Sequence, residues 1–120
     1  MNRKQGFTLV EIMIVVLIIG LLAAIAVPNF AKARKKAQTN ACIDNLRSIE
    51  GAIEQMKMEG ETTSTIQDST KMFGTGNYIK VKPTCPYNKK DYVIDAAAER
   101  PQCPNVDDEA CADHKLPVKD

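Results

Sequence analysis

The sequence predicts an α+β fold, in which a long N-terminal α-helix packs its second half against a small antiparallel β-sheet. Three patterns lead to this prediction. Residues 12–27 carry no polar side chain, the segment after them repeats apolar residues at helical spacing, and two short segments farther along alternate as strands do. With 120 residues, the chain is long enough for one small domain.

The apolar N-terminal segment predicts a membrane-spanning helix. From Phe7 to Val27 it is interrupted only by Thr8 and Glu11, and a bilayer core of about 30 Å requires roughly 20 apolar helical residues. Glu11 is the exception, because an acid at the centre of a membrane helix costs roughly 2.5–3.5 kcal/mol, and less near an end. A favourable helix dipole contributes only roughly 0.3–1 kcal/mol at exposed sites. We therefore expect Glu11 to have a charged partner.

The six residues before Phe7 predict orientation and processing. They are polar and include Arg3 and Lys4, so this end is expected to stay in the cytoplasm. An ordinary secretory leader is disfavoured, because the small residue Gly6 precedes the apolar run and Pro28 closely follows it. Cleavage between Gly6 and Phe7 would give Phe7 a free α-amine one helical turn from the Glu11 carboxylate.

These residues resemble the signature of type IV pilins and of the pseudopilins of type II secretion. The resemblance covers about a quarter of the chain, residues 12–16 and 23–29 together with Gly6-Phe7-Thr8-Leu9-Val10-Glu11. It implies a pilin-like fold, cleavage after Gly6 by a prepilin peptidase, and methylation of the Phe7 amine. It also implies that Glu11 of one subunit receives Phe7 of its neighbour when a filament assembles from an inner-membrane platform.

Four segments follow from these patterns: a leader at 1–6, a transmembrane and assembly helix at 7–28, the amphipathic second half of the helix at 29–59, and a small head at 60–120. Pro28 lacks an N–H and crowds the preceding turn, which predicts a helix break or local loosening. The alternative is that Pro28 only marks the membrane exit. Gly60 is the predicted stop.

The second half of the helix carries an apolar stripe, with spacings of four, three, four and three between Cys42, Leu46, Ile49, Ile53 and Met56. In the head, residues 60–77 are predicted to form a loop. Residues 78–82 and 91–95 are predicted to be two strands that pair with each other and lie on the stripe. The tail from residue 101 is expected to be irregular.

The four cysteines are expected to form disulfides, provided that the head faces an oxidising compartment. Cys85 and Cys103 each precede a proline, which favours their pairing and leaves Cys42 for Cys111; the other pairings remain open. Zinc is the alternative, disfavoured by the absence of a Cys-x-x-Cys pair and by a single histidine, His114. We therefore expect no metal.

Charge and motif content argue against several other functions. Loss of Arg3 and Lys4 lowers Lys+Arg from 16 to 14 against 15 acids, which changes the net charge from +1 to −1 and does not favour nucleic-acid binding by the head as a whole. The basic residues at 32–36 are interpreted as solvated surface, with contact to lipid headgroups or to acids on an adjacent subunit as the alternative. Without a catalytic constellation or Cys-x-x-Cys, we expect no enzyme activity, including thiol–disulfide exchange.

An acidic loop lies near the C-terminus and comprises Asn105, Asp107, Asp108, Glu109 and Asp113. We interpret it as solvated, with calcium binding through oxygen ligands as the alternative. No cofactor is expected otherwise.

The sequence thus predicts a structural filament subunit, most similar to a type II secretion pseudopilin. Its expected partners are the prepilin peptidase, identical or homologous subunits, the assembly platform and membrane lipid. It would cross the bacterial inner membrane once, with a cytoplasmic N-terminus and a periplasmic head, before joining a filament. The alternatives are a type IV pilus subunit acting in adhesion, motility or DNA uptake, and a membrane-anchored binding protein that never polymerises.

Overall fold

The computed structural model describes residues 4–62, 69–95, 100–105 and 107–117. Along the chain these form helix α1 (Leu9–Met58), the short helix α2 (Ser69–Met72), strands β1 (Val93–Asp95) and β2 (Arg100–Gln102), and a 3₁₀-helix at Glu109–Cys111. The predicted α+β class is confirmed. The chain forms two compact units, Met1–Lys35 and Lys36–Asp120.

Helix α1 begins with a reciprocal capping box. The Glu11 N–H donates to Thr8 Oγ1 at 3.3 Å, and the Thr8 N–H donates to Glu11 Oε2 at 3.0 Å. Two backbone donors that the first turn would otherwise leave unsatisfied are thereby paired. Glu11 therefore has a local structural role at the helix start, which the sequence reasoning did not identify.

The first half of α1 is apolar on all sides and exposed in the single chain. Its apolar window has a mean hydropathy of 3.0 and no buried residue, so by length and composition α1 could cross a membrane. The residues on both sides of Pro28 are helical, so α1 continues through the proline, and a kink or local loosening there stays a prediction. Pro28 removes one N–H from the helix, and the adjoining turns keep their own hydrogen bonds.

Helix α1 ends in a glycine cap, close to the predicted stop. Gly60 has a φ of +84°, a left-handed conformation that costs glycine little. Its N–H donates to the Lys57 carbonyl at 3.1 Å, and the Glu61 N–H donates to the Met56 carbonyl at 3.0 Å. This pair of bonds is a Schellman motif, which satisfies carbonyls of the last turn.

The predicted apolar stripe forms the core of the second unit. All five of its residues are buried, and Ala52 joins them. Its C-terminal part packs with Met72 and with the partly buried Phe73, Tyr78, Ile79, Tyr92 and Ile94. Its N-terminal part, Cys42 and Leu46, packs with Cys85 and Cys103 and with the partly buried Tyr92 and Leu116. Tyr92 contacts both clusters and so joins the two parts of the core.

The sheet is antiparallel as predicted, but its strand partners differ. Strand β1 pairs with β2, with Ile94 opposite Pro101, so the predicted pairing of residues 78–82 with 91–95 is wrong. Ile79 instead forms an isolated bridge with Phe73. Its N–H donates to the Met72 carbonyl at 3.0 Å, and its carbonyl accepts from Gly74 at 2.9 Å. These bonds hold the Ile79 backbone against the end of α2, so it is not available to β1.

Strand β2 belongs to the tail that was expected to be irregular. Arg100 anchors it, because its Nε donates to Glu50 Oε1 on α1 at 3.1 Å and its Nη2 donates to the Pro117 carbonyl at 3.1 Å. The Arg100–Glu50 ion pair is partly buried. The Arg100–Glu50 ion pair thus binds the tail to α1, and no local sequence pattern predicts it.

Candidate functional site

The predicted processing site lies just before α1. Gly6 and Phe7 are exposed and precede the first helical residue, Leu9, so the Gly6–Phe7 peptide bond is accessible to a protease. A Cβ added to Gly6 would meet nothing within 4 Å. This chain therefore tolerates a larger residue at position 6, and any requirement for glycine there would come from the enzyme that cleaves it.

The exposed apolar surface of α1 is the second functional feature. Large side chains on every side of the helix are half or more exposed, including Ile14, Leu17 and Phe30. Contiguous apolar surface of this extent is unfavourable in water and marks a membrane or protein interaction site. Glu11 lies within this surface, with its carboxylate bonded to the Thr8 N–H.

A cluster of three thiols and one imidazole occupies the core of the second unit. Cys42, Cys85, Cys103 and His114 (the thiol cluster) are all buried, and their potential ligand atoms lie within 4.8 Å of one another. The Sγ atoms of Cys85 and Cys103 are 3.7 Å apart, and Cys103 Sγ lies 3.9 Å from His114 Nδ1. Thiolate and imidazole are the donors that zinc prefers.

The predicted Cys85–Cys103 disulfide is not formed at this separation, and it stays a prediction for the oxidised protein. Cys42 lies in the thiol cluster. Cys111, its predicted partner, is also buried but is not one of the four clustered residues.

Hydrogen-bond donors surround the sulfurs. The Tyr92 hydroxyl donates to Cys42 Sγ at 3.4 Å, and Asn105 Nδ2 donates to Cys85 Sγ at 3.2 Å. Burial raises the pKa of the Cys103 thiol, against the opposing effect of the Asn105 backbone N–H.

Two of these thiols differ in acidity. Burial raises the pKa of the Cys42 thiol to about 12 despite the hydrogen bond from Tyr92. Burial also acts on Cys85, but its hydrogen-bond donors outweigh it and lower its pKa. Of Cys42 and Cys85, Cys85 is therefore the thiol whose surroundings favour the thiolate.

One residue of the acidic loop, Asn105, is not solvated as the sequence predicted. Its side chain is buried and bonds to Asn88 and to Cys85 Sγ, so it faces the thiol cluster. Asp107, Asp108 and Glu109 are exposed. Calcium binding by this loop stays a prediction.

Sequence reasoning missed the thiol cluster because its members are distributed from residue 42 to residue 114. No short metal-ligand spacing joins them. The available signals were the two matching Cys-Pro pairs at 85 and 103 and the only histidine in the chain.

The chain is similar to known proteins both in its N-terminal motif and over most of its length. The family described as the prokaryotic N-terminal methylation motif matches residues 1–27. The type II secretion system core protein G of Klebsiella pneumoniae is 30% identical over 107 residues, covering 78% of this chain and 76% of that protein. No solved structure matches significantly.

Two further relatives match over different lengths. The core protein G of Dickeya chrysanthemi is 33% identical over 104 residues, which cover 86% of this chain but only 64% of the relative. Fimbrial protein Q of Moraxella bovis is 44% identical over 62 residues, 52% of this chain and 40% of that protein. The chain thus spans somewhat less than two thirds of the Dickeya relative.

Proposed function

This chain belongs to the family of the type II secretion system core protein G, and we propose that it is a filament subunit of that kind, a pseudopilin. The observation that carries the proposal is the exposed apolar half of α1, which begins beside an accessible Gly6–Phe7 bond and contains a single acid, Glu11. Such a surface fits a subunit that is held in the membrane before assembly and is then buried among neighbouring subunits in the filament.

The first step of this function is cleavage by a prepilin peptidase. Hydrolysis of the Gly6–Phe7 peptide bond leaves a carboxylate on Gly6 and a free α-amine on Phe7, to which a methyl donor then adds a methyl group. The new amine carries a positive charge at neutral pH. It lies at the same end of the helix as the Glu11 carboxylate.

Assembly then pairs these two charges. In a filament core of low dielectric, an unpaired Glu11 would be strongly penalised, and a Phe7 amine from the neighbouring subunit would neutralise it. The pairing also favours one axial register, because the two charges must lie at the same depth. Lipid or neighbouring helices would cover the remaining apolar side chains.

A type IV pilus subunit is the second candidate, favoured by the identity to the Moraxella fimbrial protein over about half of this chain. Both candidates share the N-terminal segment and its assembly mechanism. Complementation separates them: restored secretion in a strain lacking its core pseudopilin favours the first, and restored surface pili favour the second.

The sharpest test separates the charge of Glu11 from its capping role. Glu11→Gln keeps an amide oxygen that can accept from the Thr8 N–H, as in other capping boxes, while removing the charge. Glu11→Val removes both. If charge pairing drives assembly, both variants insert, are cleaved after Gly6 and keep a folded head, yet both form few or no filaments.

The measurement is filament yield, compared with N-terminal mass and head stability in the same membrane preparation. Wild-type filament yield from Glu11→Gln, together with a loss in Glu11→Val, would assign Glu11 to capping alone. Normal filaments from both variants would contradict the assembly mechanism.

A further inference from the structure

We propose that the thiol cluster is a structural zinc site with Cys42, Cys85, Cys103 and His114 as its four ligands. The four donors converge from separate parts of the chain: α1, the segment after Thr84, the segment after β2, and the segment after the 3₁₀-helix. All four are buried. A Cys₃His set is one of the standard ligand sets of closed, four-coordinate zinc sites.

The distances fit a tetrahedral ion. With Zn–S bonds of about 2.3 Å and Zn–N bonds of about 2.0–2.1 Å, two sulfurs bound to one zinc lie about 3.8 Å apart, and a sulfur and a nitrogen about 3.5 Å apart. The Cys85 and Cys103 sulfurs are 3.7 Å apart, and Cys103 Sγ is 3.9 Å from His114 Nδ1. Small side-chain adjustments close the tetrahedron around a central ion.

Charge balance also fits. Binding of Zn²⁺ releases three protons from the thiols and leaves three thiolates, one neutral imidazole and a net charge of −1. Two hydrogen-bond donors contact the sulfurs and would stabilise that charge: the Tyr92 hydroxyl at Cys42 and the Asn105 amide at Cys85. Such outer-shell donors orient the ligands of metal sites and tune them.

The outer shell is itself held in place. Asn45 Nδ2 on α1 donates to the Tyr92 hydroxyl at 3.2 Å, which leaves the hydroxyl hydrogen directed at Cys42. Asn105 Nδ2 also donates to Asn88 Oδ1 at 2.9 Å. Asn45 therefore orients Tyr92, and Asn88 orients Asn105, towards the sulfur that each contacts.

A zinc ion would compensate for the small apolar core of this head. The described part of the head has one two-stranded sheet and a small apolar core, and small domains commonly need a metal or disulfides for stability. One ion would join α1 to three later segments, and its binding energy would contribute directly to folding. The Cys85–Cys103 disulfide would consume two of the four ligands, so the two arrangements exclude each other.

The chain offers a matched control in Cys111. It is a buried cysteine of the same unit outside the four clustered ligands. Cys111→Ser should therefore keep zinc, whereas Cys85→Ser and His114→Ala should lose it. His114→Cys supplies a fourth thiolate and should retain zinc, which separates loss of a ligand from a general failure to fold.

The experiment uses the full mature chain, purified from membranes in detergent without chelators, with zinc measured by elemental mass spectrometry. We expect one zinc per chain in the wild type, Cys111→Ser and His114→Cys, and roughly a tenth of that or less in Cys85→Ser and His114→Ala. Loading the wild type with Co²⁺ instead should give the thiolate-to-cobalt absorption of a tetrahedral site. These readouts do not depend on filament formation.

Three results would overturn the proposed zinc site. A wild-type chain without zinc, in which non-reducing peptide mapping links Cys85 to Cys103, would replace the zinc site with the disulfide. Zinc that persists in both His114→Ala and Cys85→Ser would show that the metal lies elsewhere. Loss of zinc from Cys111→Ser as well as from Cys85→Ser would contradict the assignment of the four ligands.

Discussion

The two halves of α1 use the same apolar residue types in opposite ways. Ile14 in the first half is 52% exposed, whereas Ile53 in the second half is 1% exposed. The first half is apolar on all sides, and the second carries one apolar stripe with polar residues around it. A helix that is apolar all round must be covered by lipid or other proteins, whereas a striped helix can be covered by its own chain.

The largest expected effect separates processing from folding. Replacing Gly6 by Trp should abolish cleavage and leave the precursor in the membrane, because the peptidase would no longer accept the residue before the cut. The head should fold normally, since a Cβ added at position 6 meets no other side chain or backbone within 4 Å among the described residues. Intact mass measures cleavage, and protease resistance measures folding; a mature start at Phe7 from this variant would contradict the requirement for glycine before the cut.

Two isoleucines, one buried and one exposed, test the contrast between the two halves of α1. Ile53→Ala should lower the free energy of unfolding of the head by about 2–5 kcal/mol, because it leaves a cavity beside Met56 and Met72. Ile14→Ala is the matched control and should change head stability by less than about 0.5 kcal/mol. Denaturant unfolding of the mature chain in detergent measures both, and equal losses would show that the halves are not independent.

Tyr92 sharpens the comparison inside the head. Tyr92→Phe keeps the ring that touches both core clusters and removes the hydroxyl that joins Asn45 to Cys42. We expect a loss of about 1 kcal/mol in the free energy of unfolding, the size of one net hydrogen bond. Asn45→Ala offers the complementary change, and the double variant should lose less than the sum of the single losses. Strict additivity would show that the chain of bonds does not act as a unit.

The smallest expected effects come from two glycines of opposite role. Gly60→Ala should destabilise the head by about 1 kcal/mol, because alanine is strained at a φ of +84°. Gly51→Ala lies inside α1 with open space at the added Cβ and should stabilise by about 0.5–1 kcal/mol. Thermal unfolding of both variants checks the signs; stabilisation by Gly60→Ala would contradict the cap, and destabilisation by Gly51→Ala would contradict the prediction for the helix interior.

Much of the fold followed from local pattern alone. The stripe from Cys42 to Met56 is buried as its spacing predicted, and α1 ends two residues before Gly60. The Gly6–Phe7 junction and the apolar run also needed no structure. Each of these features depends on neighbouring residues along the chain, since helical periodicity and glycine caps are set within a few residues.

Only the tertiary structure decided which distant residues meet. Strand β1 pairs with the tail strand β2 and not with residues 78–82, and the Ile79 backbone is bonded beside α2 instead. Likewise, Cys42 and His114 are 72 positions apart in the sequence and share one buried site. No local spacing encodes such contacts: they arise when separate segments cover the same helix stripe, so their chemistry appears only once the chain has folded.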